Sequence, residues 1–267
     1  MKKYWAIFRM RFINNLQYRT AAVAGLATNF AWGFMLILSF SAIHRANPAA
    51  FPMEFSQMVS YIWIQQALLL LFAGWFRQQD VESAIIDGMI AYDLVRPVDL
   101  YGRWLCQNIA VRAAGAALRC APVLVVAFIV PTPYRLSLPP DMAHFMMFLI
   151  SAALSLCVAA SFSMLLCVTL FYTLSLQGAW TIFSIALDFL GGQYIPLPFF
   201  PAPIRAVLDL SPFAAMQNMP LRIYIGNITG QDALIGIALQ IFWLVILQVA
   251  GRLAMRRALK KVIVQGG

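Results

Sequence analysis

The sequence predicts an all-α integral membrane protein. Six transmembrane helices are expected, with an N-terminal amphipathic interface helix, a short cytoplasmic amphipathic helix, and outer re-entrant helices before the last span. Three observations carry this expectation. Of the 267 residues, 62% are hydrophobic and only 11% charged, against roughly half and a quarter in soluble domains. Charge-free runs reach the ~20 apolar residues that a helix needs to cross a bilayer. Lysine and arginine gather at alternate ends of these runs, so the net charge of +9 reads as membrane topology. A nucleic-acid surface would instead need its basic residues clustered on one polar face.

Residues 1–19 are too polar to span. Tyr4, Trp5, Phe8, Phe12 and Leu16 recur near i, i+4, i+8 and i+12, while Lys2, Arg9 and Arg11 lie largely off that stripe. The pattern predicts a helix lying in the cytoplasmic interface with membrane lipid. The basic start is like that of a signal peptide, but the apolar run over 20–43 is too long for its hydrophobic region and no convincing cleavage site comes after it. Residues 21–43 are therefore expected as a retained first span, and 57–76 as the second.

A third span is expected over 106–130, interrupted by Arg112 and Arg119. From 142 to 192 the only acidic or basic side chains are His144 and Asp188, which leaves room for two spans turning at Tyr172-Thr173 through Gln177-Gly178. Residues 233–254 supply the sixth. Counting Lys and Arg gives five in the N-terminal segment, three between the second and third spans and five in the C-terminal segment, against four on the alternate side. By the positive-inside rule both termini are cytoplasmic, which agrees with an even number of spans.

Two segments are not simple spans. Five of the ten carboxylates lie between Asp80 and Asp99, yet Val81, Ile85, Met89, Ile86 and Ile90 recur at helical spacing and Arg96-Pro97 would end such a helix. Its apolar face needs a partner, either the membrane surface or another protein. Residues 193–231 hold six prolines, too many for one helix, and too many apolar side chains for a free loop. Broken backbone at membrane depth is tolerated where protein or a water-filled cavity satisfies it. Short helices dipping into the outer leaflet and packing on the bundle are expected there.

At these segments the sequence resembles the permease subunits of type-two ABC (ATP-binding cassette) exporters. The features that carry the resemblance are the N-terminal helix, the Gly88-Met-Ile-Ala-Tyr-Asp-Leu94-Val-Arg96-Pro97 stretch, and the run from Ile195-Pro196-Leu197 through Phe200-Pro201 and Ser211-Pro212-Phe213 to Ile223-Tyr224-Ile-Gly226. The resemblance implies a single transmembrane domain over 1–267 in the cytoplasmic (inner) membrane of a bacterium. It also implies a dimer with an identical or homologous permease, seated on two cytoplasmic ABC ATPase subunits and moving an amphipathic or lipid-like substrate outward by alternating access at the dimer interface. Residues 80–97 would be the ATPase-coupling segment. Val81, Ile85, Met89 and Ile90 would pack in the ATPase groove, Asp80, Glu82 and Asp87 would pair at its rim, and Gly88, Arg96 and Pro97 would complete the segment. Pro196, Phe200, Pro201, Pro212 and Phe213 would belong to the re-entrant region.

The chain itself carries no G-x-x-x-x-G-K-[ST] phosphate cradle, since no Gly-Lys pair occurs, so ATP hydrolysis is expected in a partner. Leu190-Gly191-Gly192-Gln193 resembles the LSGGQ signature but lies at the outer end of the fifth span, where paired glycines end a helix. No cofactor is expected. The four cysteines read as packed thiols, and His44 and His144 are isolated. Asp188 is either an acid near the outer interface, capping the next helix, or part of a cavity or dimer interface. Arg119 is its candidate partner, or snorkels. Asn29, Gln65, Gln66, Ser155 and Thr169 line a pathway or bond between helices, and small residues in the third and fourth spans read as packing. The competing readings are a nucleotide-independent transporter or scaffold and, more remotely, an intramembrane enzyme using Asp188.

Overall fold

The structure, a computed structural model, describes residues 2–17, 19–173 and 175–260. Met1 and Tyr18 of the expected interface helix, Leu174 in the expected turn, and 261–267 with Lys261 of the terminal basic group lie outside the described residues. All regular elements among the described residues are helical.

Among the described residues four helices are long and apolar enough to cross a membrane. They are α2 (Arg19–Ala46), α7 (Leu100–Ile129), α8 (Met142–Thr169) and α12 (Gly230–Leu259). The most enclosed is α8, packed against α12 and α7. Ala152, Ala159, Ala160 and Ser163 on its buried face let neighbouring backbones approach closely. Asp99 starts α7 by accepting from the Gly102 amide at 2.8 Å, an N-cap that begins the helix six residues ahead of the expected third span.

The expected second span is not one helix. It begins with a capping box at Glu54 and Gln57, runs as α3 (Phe55–Ala67), breaks at Leu68 and resumes only as α4 (Leu69–Phe72). The expected fifth span is α9 (Gln177–Leu190), 14 residues and so about 21 Å long at 1.5 Å per residue. It reaches only part-way across a hydrocarbon core of roughly 30 Å.

Two apolar clusters mark the ends of the bundle. One gathers Leu100, Trp104, Met164, Val168, Trp180 and Met255. It receives α5 (Gln79–Ile86) and α6 (Ile90–Leu94), which replace the single helix expected over this stretch. Gly88 at φ +70° separates them, a left-handed conformation that suits glycine. The N-terminal helix α1 (Lys2–Leu16) lies along α7 near this end. Tyr4, Phe8, Phe12 and Leu16 are half-buried and Trp5 stays exposed. Contact is close because Gly102 has no side chain: a Cβ there would sit 3.0 Å from the Tyr4 hydroxyl.

The other cluster holds Phe40, Met58, Ile62, Phe148, Leu221 and Tyr224. Into it folds the proline-rich segment: a 3₁₀ turn at Leu197–Phe199, α10 (Ala202–Asp209), a π-helical turn at Ala214–Asn218 and α11 (Met219–Tyr224). The π turn and α11 are buried, whereas α10 has no buried residue. Gln240 of α12 satisfies the irregular backbone, its amide donating to the Ala215 carbonyl at 2.9 Å and the Ser155 hydroxyl at 2.8 Å. Ser155 also donates to Ala215 O at 3.0 Å, and Ser151 to Gln240 Oε1 at 2.9 Å.

Candidate coupling surface and intramembrane cavity

At the end bearing α5 and α6, polar contacts fix the segment to three other helices. Asp93 of α6 accepts from Arg103 Nη1 at 2.6 Å and Trp104 Nε1 at 3.1 Å, both on α7. Arg77, just before α5, bonds Glu82 through Nε at 3.0 Å and reaches Gln177 of α9 at 2.7 Å. The Glu82 hydrogen bond raises the Arg77 pKa above its ordinary value. Asp80 pairs with Arg11 of α1 at 2.8 Å, and Lys3 donates to the Pro97 carbonyl. A force on α5–α6 therefore reaches α1, α7 and α9 through short, charge-assisted bonds.

The structure corrects which side chains face outward. Val81 is 1% and Ile90 4% exposed, both packed with Ile85 onto this chain's own core, so they are not free for another protein's groove. Glu82 is buried and spent on Arg77, and Asp80 on Arg11. Asp87, Gly88, Arg96 and Pro97 remain exposed. The apolar side chains left exposed on this segment are Ile86, Met89 (53%), Tyr92 (67%), Leu94 and Val95 (81%), and exposed apolar groups gathered on a short stretch mark interaction sites. Sequence periodicity missed Tyr92, Leu94 and Val95, because breaking the helix at Gly88 turns α6 onto a different face. It also missed Asp93, whose partners Arg103 and Trp104 lie ten and eleven positions on, beyond Pro97 and at no i+3 or i+4 helical spacing.

Next to this segment lies a buried polar cluster. Arg112 of α7 is fully buried, bonding Asn108 Oδ1 at 2.8 Å, Ser163 Oγ of α8 at 2.8 Å and the carbonyls of Leu71 and Ala73 at 3.3 and 3.0 Å. Its guanidinium also lies 4.8 Å from the Phe76 ring centre. Asn108 continues to Gln78, which begins α5. This accounts for the early stop of α4: the carbonyls freed there are collected by one planar fork.

A separate cavity of about 310 Å³ lies between α2, α3, α7 and α9, with Asn29, Gln66, Arg119, Asp188 and Gln193 on its walls and Trp32, Trp75 and Tyr194 beside them. Arg119 and Asp188 thus share a cavity, but they form no ion pair, and the expected direct partnership between them is not made among the described residues. Gln66 is fully buried, its amide nitrogen and oxygen both without a hydrogen-bond partner among the described residues, where Arg119 Nε is likewise unpartnered. Asn29 is spent on the Gln66 carbonyl. Ser155 bonds Ala215, and Gln65 donates to the Gly192 and Gln193 carbonyls at 3.1 and 3.2 Å. Thr169 bonds Leu166 O.

The glycine pair is placed by the same contacts. Tyr61 donates to Gly192 O at 3.2 Å, and Gly192 adopts φ +88°, so Leu190-Gly191-Gly192-Gln193 is the buried corner joining α9 to the proline-rich segment. There Pro196 is buried and Phe200, Pro212 and Phe213 half-buried, while Pro201 is exposed ahead of α10. The Phe213 ring sits 5.9 Å from Phe162 and 6.4 Å from Phe183.

Long apolar helices, broken apolar segments packed among them and polar groups held inside the bundle define an all-helical, multi-pass membrane protein. The sequence model of ABC-2 family transporter proteins matches residues 30–266, and the chain belongs to that family. It is the membrane-embedded permease component of such a transporter, and family membership brings with it an ABC ATPase partner. No curated protein matches the sequence.

Proposed function

We propose that this permease serves an ATP-driven exporter of amphipathic or lipid-like molecules, with six crossings and both termini cytoplasmic. In this reading α3–α4 and α9 are the second and fifth crossings, completed by irregular backbone, and α1 lies in the cytoplasmic interface. The segment over 193–231 is re-entrant from the outside. A second permease, identical or homologous, completes the pathway, two ATPases sit beneath the pair, and alternating access at the dimer interface carries substrate outward across a bacterial inner membrane.

One observation carries the reading: an exposed apolar patch, Ile86, Met89, Tyr92 and Val95, on a segment bonded at short range to α1, α7 and α9. A solvated loop has no use for those side chains, and a lever between an ATPase and the bundle needs both a docking face and rigid attachments. The distribution of Lys and Arg supports placing that face in the cytoplasm.

The test is co-purification with the cognate ABC ATPase. Met89→Asp is expected to reduce association by about tenfold or more, the loss of one well-buried apolar anchor, with an unchanged melting temperature. Val81→Asp serves as the contrast, since a charge placed in the chain's own core destabilises the fold itself. Undiminished association of Met89→Asp would sink the coupling assignment. Substrate flux that follows an ion gradient and persists without ATP would favour a nucleotide-independent transporter.

A further inference from the structure

The cavity between α2, α3, α7 and α9 holds polar groups that the fold leaves without partners. Gln66 offers an amide donor and acceptor and Arg119 its Nε, all three atoms buried without a partner among the described residues, and the half-buried carboxylate of Asp188 on the same lining forms no ion pair there. Buried polar groups are normally satisfied, and each exception calls for a reason. The reason here is not weak local design. Elsewhere in the bundle Arg112 and Gln240 are bonded through all their side-chain polar atoms, so the fold can satisfy polar groups that it encloses.

Position sharpens the point. Gln66 lies eleven residues into α3 and Asp188 eleven into α9, each about 17 Å from its helix start at 1.5 Å per residue. Both side chains therefore lie near the far ends of their helices, within the bundle. Ionisable groups inside a membrane bundle are costly and turn toward pathways or cavities.

We infer that the cavity receives the polar head of the transported amphiphile, and that this head is zwitterionic. Arg119 takes its anionic part, and Asp188, with Trp32 and Tyr194 beside it, takes its cationic part. Opposite charges held on one cavity wall without neutralising each other are complementary to a ligand carrying both. Aromatic faces add attraction for a cation, and the Gln66 amide completes the hydrogen bonding. A volume of about 310 Å³ is at the lower end for ligand pockets. It suits a head group while the acyl tails lie outside, along the exposed apolar side chains Met35, Ile185 and Phe189 of α2 and α9. This inference deepens the exporter reading and rests on it for the direction of travel.

The full-length chain, purified in a maltoside detergent, is titrated with a fluorescently tailed phosphatidylethanolamine and with a phosphatidylglycerol of the same tails. The zwitterionic lipid is expected to bind about tenfold tighter, the worth of one charge-assisted hydrogen bond. Asp188→Asn should remove that preference, and Arg119→Gln should weaken both lipids. Gln66→Met should weaken binding while leaving the melting temperature equal or higher, since it removes unpartnered atoms without removing a bond. That separates ligand contact from structural damage. Equal binding of the two lipids by the wild type, or a preference that survives Asp188→Asn, overturns the site. With the ATPase present in vesicles, ATP should move the labelled lipid to the far leaflet. No movement despite intact association overturns its assignment as substrate. Loss of ATPase association with the binding preference intact fails the exporter reading instead.

Discussion

Two arginines of α7, seven residues or about two turns apart, meet opposite fates. Arg112 is enclosed and bonded to two carbonyls, an asparagine and a serine. Arg119 faces a cavity with its Nε unpartnered. Both interrupt the same apolar run, and sequence alone treats them alike. The contrast separates two uses of a charge inside a membrane. One replaces backbone hydrogen bonds that a broken helix cannot make. The other stays uncommitted, at a cost that only a ligand or a moving part offsets.

The largest effect tests the first use. Arg112→Met removes every donor to the Leu71 and Ala73 carbonyls and leaves Asn108 and Ser163 short of a partner. Resistance to unfolding in detergent is expected to fall by on the order of 3 kcal/mol, since each stranded buried group costs about 1–3 kcal/mol. Arg112→Lys should recover only part of this, because an ammonium cannot span the same fork of acceptors. A stable Arg112→Met protein would mean that α4 ends for some other reason. The same substitution should also loosen α5, through Asn108 and Gln78, and so weaken the response of ATPase turnover to substrate.

A second, smaller effect extends the comparison to the opposite end of the bundle. Gln240 serves the π-helical turn as Arg112 serves α4. Ser155 still reaches the Ala215 carbonyl without it, however, and the side chain is neutral. Gln240→Leu is therefore expected to cost about 1–2 kcal/mol, measured in the same unfolding experiment. A cost equal to that of Arg112→Met would show that charge is not what distinguishes the two sites.

These polar sites also mark what the sequence could and could not disclose. Long apolar runs gave α2, α7, α8 and α12 directly, and the prolines over 193–231 announced a broken segment by composition alone. The early end of α4 was invisible, because composition stays apolar through 57–76 and the group that takes its last carbonyls, Arg112, sits about forty positions later on another helix. The outward face of α5–α6 was misjudged for a related reason. Both faces are apolar, and only packing decides that Val81 and Ile90 turn inward while Met89 and Tyr92 turn out. Asp188 and Arg119 stood out as costly charges in apolar runs, yet their shared cavity and missing ion pair depend on helix rotation, which no spacing encodes. The Leu-Gly-Gly-Gln stretch became legible only once Tyr61 and Gln65 were seen on its carbonyls.

The smallest expected effect tests the second use of charge without touching the charge itself. Gly25 of α2 lies against the Arg119 guanidinium, and a Cβ there would come within 2.2 Å of Nη2. What it meets is the far end of a flexible side chain, so the guanidinium swings aside and the helices need not move. Alanine also favours the helix over glycine by up to about 1 kcal/mol. Gly25→Ala is thus expected to leave the melting temperature equal or slightly raised while weakening the binding of phosphatidylethanolamine several-fold, about 1 kcal/mol. A structural role for Arg119 predicts the reverse, a less stable protein whose binding follows its folding. If stability and binding fall together, Arg119 belongs with Arg112 and the distinction between the two arginines fails.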